Sequence, residues 1–422
     1  MTRKSKARYG LKRTYKLNPT VKALRNALMA SMMAAAIAPS VALARNVAIE
    51  DVQFPGVYIY NSTNLYASDY DVAAGIVAGS FGDLAEVVNT GGIYIQVYNN
   101  TGLDTLAAGI YAKGSYGGVV DNSGNISISN NTNGSGDATS WGIFAGDFGG
   151  AAAIESTVYN EGVINITSST DAGDVDAFGI KTLAAYEAEI TNFGDVTIST
   201  SSNSGDASAY GLAADSTLGN ATVYNYAGIT VSASSQAGDA TAVGLEARAL
   251  KYAYVYNTGD ITASSESVTG DSASTGIISD GLFDGAYVYN SGELIISAST
   301  QYGSAEAIGI DAYSYYDVAT VFNNGDINVS ASVAGISNIY TPTDTSANAY
   351  GINVSAYGEV VIDNSGNITL SSSNNLYLGT STAVGINVDG YNGATITNTG
   401  DIVIEASSGG GASYAFVYDP TQ

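Results

Sequence analysis

The segment ATVYNYAGITVSASSQAGDATAVGLEA, residues 221–247, is one unit of a pattern that runs from about Val57 to the end of the chain. Asn225 anchors this unit. Equivalent asparagines stand at Asn89, Asn122, Asn160, Asn192, Asn257, Asn290, Asn323, Asn364 and Asn398, mostly 32–34 residues apart. Two positions before each is Val or Ile, as in Val223, Val255 and Ile362, and four before it a small residue in every turn except that of Val360. Such alternation marks a strand with one buried face. Gly follows two positions after the asparagine in nine of ten turns, as at Gly91, Gly194 and Gly400, with Ala227 the exception. A turn with positive φ is the expected reason. Aliphatic pairs such as Ile126 with Ile128, and Val196 with Ile198, then mark a second strand. Gly followed by Ile or Leu marks a third, as at Gly75, Gly244 and Gly385. Three short strands in about 33 residues, with no helical window, predict a right-handed parallel β-helix of about ten coils. At ~4.8 Å per coil it forms a rod about 50 Å long.

The ends and the exceptions set the domains. Val57, Ile59 and Asn61 copy the anchor spacing, but Gly75 follows only 14 residues after Asn61, so residues 45–74 read as an N-terminal cap or an incomplete first coil. Residues 75–422 are the repeats. Two turns are longer than the rest, around Gly146 to Ala153 and Val333 to Thr345. Extra residues in a solenoid map to loops on one face, where binding functions often sit. No polar cap follows Tyr414–Phe416, so the chain is expected to be a fragment of something longer.

Residues 1–44 read as an export signal. Nine basic residues precede the apolar run Ala27–Ala38, and Ala42-Leu43-Ala44 supplies an A-x-A cleavage site. The run is shorter than the ~20 residues that span a bilayer, and no later segment is long enough, so the mature chain is expected to lack a transmembrane helix. Beyond the leader five basic residues (Arg45, Lys113, Lys181, Arg248, Lys251) face 39 acidic ones, a net charge of −34. That surface argues against nucleic acid and anionic lipid as partners. The absence of Cys means that no disulfide staples the exported fold.

The long basic leader, the turn VYNTGDITA at Val255–Ala263, the stretch GDATAVGL at Gly238–Leu245 and the lack of Cys together resemble the passenger domains of Gram-negative autotransporters, the type V secretion family. The resemblance implies an exported β-helical passenger that crosses the outer membrane through its own C-terminal barrel and serves adhesion, aggregation or biofilm formation. This sequence departs from the family in carrying no barrel-like run of alternating strands in its last residues, and no motif of a protease passenger.

With no His in the chain, triads, Cys-His dyads and imidazole metal sites are excluded. Three columns of side chains remain. Asp104, Asp137, Asp174, Asp206, Asp239 and Asp271 each precede the third-strand Gly by five residues. Stacked about 5 Å apart they repel, so each either accepts backbone N–H bonds in its turn or joins its neighbours in holding Ca²⁺. Asn122, Asn160, Asn192, Asn225, Asn257, Asn290, Asn323 and Asn364 are expected to form an inward amide ladder. Tyr254, Tyr256, Tyr287 and Tyr289 head an outward aromatic stripe, which either pairs ring on ring or contacts a sugar or another rod. The expected function is adhesion or self-association at the cell surface, without enzymatic activity and without a cofactor other than that Ca²⁺. The partners are a host or bacterial surface, a polysaccharide or the chain itself. The alternatives are a passive spacer for a missing domain and a polysaccharide-acting enzyme built on paired carboxylates.

Overall fold

The structure, a computed structural model, describes residues 45–53, 56–80, 83–147, 154–335 and 345–420. The export signal expected at 1–44 lies outside the described residues, as does most of both insertions.

In the coil anchored by Asn225, the strands are Asn220–Asn225, Ile229–Ser235 and Ala240–Ala249. Each runs parallel to, and pairs with, the corresponding strands of the coils before and after it. Repetition yields three parallel sheets, two of 11 strands and one of 12. We call them, in the order the chain visits them in that coil, the asparagine sheet, the middle sheet and the long sheet. The chain is therefore a parallel β-helix, and every regular element among the described residues is a strand. Register is one to one. Asn192 pairs with Asn225 and Asn225 with Asn257, so each column of the sequence repeat is a column in space. Residues 45–74 also join the stack: Arg45–Gln53, Val57–Asn61 and Leu65–Asp69 add one strand to each sheet, in register.

The inward columns explain the alternation. Ala221, Val223, Ile229, Val231, Ala242, Leu245 and Ala247 all lie in one buried core with their counterparts in other coils. Each buried Val, Ile or Leu contributes about 1.5–3 kcal/mol, so stability accumulates coil by coil. The corner glycines after each asparagine serve a different need from the one expected. Gly194 is not among the positive-φ glycines, which are Gly102, Gly117, Gly134, Gly285 and Gly393. A Cβ on Gly194 would overlap the carbonyl oxygen of Gly162 in the neighbouring coil. Close stacking of corners, rather than backbone handedness, requires glycine there.

The long sheet has a feature that period-2 reasoning misses. Within one strand Ala242 and Leu245 both belong to the core, although residues three apart in a straight strand face opposite sides. The strand bends at Gly244, whose missing side chain leaves room for Ile261 and the carbonyl of Gly276. Outward residues on either side of the bend consequently face each other. Trp141 and Phe144 of one strand bring their ring centroids to 5.3 Å, and Lys181 Nζ sits 4.2 Å over the ring of Phe178 in the next. Repeated along the stack, the bend makes the outer face of the long sheet a shallow groove that outward side chains fill, Phe144, Val243, Glu246 and Ile308 among them being buried.

Candidate functional site

The asparagine column is a continuous amide ladder. Asn225 Nδ2 donates to Asn257 Oδ1 at 2.8 Å, and Asn257 Nδ2 donates to Asn290 Oδ1 at 2.7 Å and to the Gly259 carbonyl in its own corner at 2.7 Å. The same bonds link Asn122, Asn160, Asn192, Asn323 and Asn364. They extend beyond the expected set to Asn61, Asn89 and Asn398. The amides from Asn89 to Asn364 are fully buried, so this column holds a corner and presents nothing to a partner.

The aspartate column climbs differently. Asp104, Asp137, Asp174, Asp206 and Asp239 each accept, through Oδ1, the backbone N–H of the next aspartate at 2.8–3.1 Å. Asp271 accepts from the N–H of Ser304 at 2.8 Å. The carboxylate thus caps the corner of the following coil rather than its own. Burial raises the pKa of Asp206, the Asp239 N–H bond lowers it, and the like charges of Asp174 and Asp239 raise it again. Asp137 behaves the same way, with burial again the largest cause. Among the described residues no three acidic side chains converge as a metal-holding group. A second ladder of this kind, unnoticed in the sequence, runs along another corner: Asp195, Asp260 and Asp326 accept from the N–H groups of Gly228, Glu293 and Asn367 at 2.9–3.0 Å.

The structure brings the four tyrosines together. Tyr254 stacks on Tyr287 at 4.9 Å and Tyr256 on Tyr289 at 4.8 Å, with planes within 9°. Tyr224 leans on Tyr254, Tyr226 on Tyr256, and Phe322 on Tyr287, which widens the stripe into a patch. Rings stacked in this way cover one another's faces, so the patch offers edges and hydroxyls to an outside partner. Its charge is the telling property. The strands Asn220–Asn225, Tyr252–Asn257, Gly285–Asn290 and Ala319–Asn323 carry no acidic or basic residue. Glu155, Glu187 and Glu189 bound this window on one side and Asp363 on the other. Burial, then the neighbouring phenols, push the Tyr254 pKa to about 12, so the window stays neutral at physiological pH.

The groove of the long sheet is the feature the sequence reading missed. Lys181 Nζ lies 3.4 Å from Asp215 Oδ2, and Arg248 Nη2 lies 2.6 Å from the buried Glu246 Oε1. That oxygen is charge-paired yet has no hydrogen bond, because the guanidinium approaches off the N–H direction. Burial raises the pKa of Glu246 and of Asp280 against the opposing charge of Arg248. Burial also raises the Asp176 pKa, to about 6, while its hydrogen bond with Ser208 pulls it down. Farther along, Asn387 Nδ2 donates to Asn353 Oδ1 at 2.7 Å, and Asn353 Nδ2 donates to Asp311 Oδ1.

No protein-family model matches this chain, and no characterised protein and no solved structure matches it either. Among the described residues no helix is long and apolar enough to cross a membrane.

Proposed function

We propose that the chain is an exported, surface-associated rod, similar in kind to an autotransporter passenger, that works by extended contact and without catalysis. The contact is self-association through the tyrosine window of the asparagine sheet. One observation carries this reading: a window four strands wide, about 15 Å along the rod, joins stacked phenol rings to freedom from charge on a chain with 39 acidic residues. Five successive middle-sheet strands, from Ile93–Asn99 to Ile229–Ser235, are equally free of charge, but their outward residues are mostly Ser, Thr and Asn, which water solvates well. The window presents phenol edges at the spacing of the coils, and the partner that repeats at that same spacing over several coils is a second copy. Stacked rings also suit a protein partner better than a sugar, which needs open ring faces.

The test compares the full chain with the Y254S/Y256S/Y287S/Y289S variant by sedimentation and by clustering of cells that display it. Association of the parent is expected to strengthen from low to physiological salt as repulsion is screened, and the variant is expected to stay monomeric. A variant that clusters cells like the parent would remove the window from the contact.

A further inference from the structure

The tyrosine window reads almost the same in both directions along the rod. Its outward residues, strand by strand, are Thr222 and Tyr224, Tyr254 and Tyr256, Tyr287 and Tyr289, then Thr320 and Phe322. Register keeps Thr222, Tyr254, Tyr287 and Thr320 in one column and the other four in the next. Reversal about the midline between the second and third strands exchanges Thr with Thr, Tyr with Tyr, and Tyr224 with Phe322. The flanking strands obey the same reversal without opposing like charges, since it sets Glu189 against Val361 and Thr191 against Asp363.

The rim of the window adds a matched pair of charges. Lys181 and Arg248 are held by Asp215 and Glu246 of their own chain, and Lys113 is buried. Lys251 is exposed and makes no ion pair among the described residues. It stands just before Tyr252, and the exposed Asp284 stands just before Gly285, the register partner of Tyr252 one coil on. The midline of the window therefore also runs between a cation and an anion.

We propose that two copies of the chain pair face to face with their rods antiparallel, about a two-fold axis lying along the strands between Tyr252–Asn257 and Gly285–Asn290. This rests on the self-association proposed above and gives it a geometry. A two-fold contact lays a surface against itself. This axis joins Tyr254 to Tyr287, Tyr256 to Tyr289 and, at the rim, Lys251 to Asp284, each twice. An apolar centre inside a polar rim is the anatomy of a specific interface. On the opposite rim one acidic encounter is left, Asp260 with Glu293. A parallel pair, with its axis along the rod, brings opposite rims together at equal height. Lys251 then meets Asp260, but Asp284 meets Glu293 and Asp317 meets Asp326, so acid opposes acid at two levels instead of one.

The chain has no Cys, so introduced thiols report single contacts. K251C and D284C chains are mixed under conditions where the parent associates, treated with a short bismaleimide, and the mixed dimer is counted by mass. It is expected to form at least tenfold more than the mixed dimer of D284C with E293C, positions that meet only in the parallel pair. In sedimentation, K251D and D284K are each expected to weaken association more than tenfold, and K251D/D284K, which exchanges the charges, to restore it to within threefold of the parent. Both positions are exposed, and equal melting temperatures confirm that the variants are folded. A parent that stays monomeric, or a tyrosine quadruple variant that associates like it, removes the window and this geometry with it. Association that needs the tyrosines, but in which D284C links to E293C as well as to K251C or the double reversal restores nothing, overturns the antiparallel geometry alone.

Discussion

Two ladders climb the same rod, one of asparagine and one of aspartate, and they differ by a single functional group. An amide carries both a donor and an acceptor, so Asn225, Asn257 and Asn290 satisfy one another and can be fully buried. A carboxylate only accepts. Asp174, Asp206 and Asp239 therefore cannot bond one another and instead take the backbone N–H of the next coil at a half-exposed corner. Hydrogen-bond chemistry thus decides which corner lies inside and which remains wet.

The sharpest way to break that contrast is to exchange the chemistries. Asn257→Asp places an acceptor-only group in the buried ladder, removes the donors to Asn290 Oδ1 and the Gly259 carbonyl, and sets a charge beside them. The expected loss at neutral pH is about 3–5 kcal/mol, that of a buried unpaired charge. Its folded pKa would rise, so the charge's share of the deficit is absent below the unfolded value near 4 and is reached as pH climbs through the folded one, while the lost amide donor costs stability at every pH. Asn257→Ala makes no charge and is expected to cost less, about 1–3 kcal/mol for unpaired groups, with no such pH dependence. Urea unfolding of both variants at pH 4 and pH 7 checks the pair. Equal curves for parent and alanine variant would mean that backbone pairing alone holds the corner.

The asparagine column was legible because one residue type recurs at one position in every coil. Identity at a fixed spacing implies identical surroundings, and only a stacked register supplies them. The aspartate spacing was equally plain, but its partner was not, because the accepted N–H belongs to the following coil and only the three-dimensional register reveals it. The second carboxylate ladder escaped notice since Asp195, Asp260 and Asp326 occur in alternate coils, with Gly228 and Glu293 between. The groove was hidden for a deeper reason. Its outward positions vary freely, from Phe178 to Tyr210 to Val243, and the bend that unites them shows in sequence only as Gly followed by a core aliphatic. That pair was visible as a marker of the third strand. Two adjacent core positions are incompatible with strict alternation, and this was the unused signal of a bend.

A milder perturbation sharpens the aspartate side. Asp206→Ala deletes the acceptor for the Asp239 N–H and is expected to cost about 1 kcal/mol. Asp206→Asn keeps an acceptor and removes a charge whose folded pKa is raised, chiefly by burial. A raised carboxyl contributes its stability below the unfolded pKa and loses it as pH rises through the folded one. The asparagine variant should therefore match the parent in acid and equal or exceed it, by less than about 1 kcal/mol, at pH 7. Thermal melts at pH 4 and pH 7 decide. An asparagine variant that matches the parent at pH 4 but is as unstable as alanine at pH 7 would mean that the corner needs the charge itself.

The smallest effect is expected from the ion that the aspartate row invites. Each Oδ1 from Asp104 to Asp271 is engaged by a backbone N–H, which leaves the second oxygens to a cation. Calcium prefers six to eight oxygens, and the row offers no convergent acidic trio among the described residues. We accordingly propose only loose bridging of neighbours, with a dissociation constant in the millimolar range of weak extracellular sites. At 1 mM Ca²⁺ such a site stabilises the fold by about 0.4 kcal/mol, the value of RT ln 2, and moves the melting temperature by about 1 °C. Scanning calorimetry in Ca²⁺ against chelator, with D206N/D239N as the control that removes the central carboxylates, resolves this. A shift in the parent that the control loses supports the ion. Coincident melts would show that the backbone N–H bonds and water already quiet the row's repulsion, and the aspartate ladder would then be as purely structural as the asparagine one.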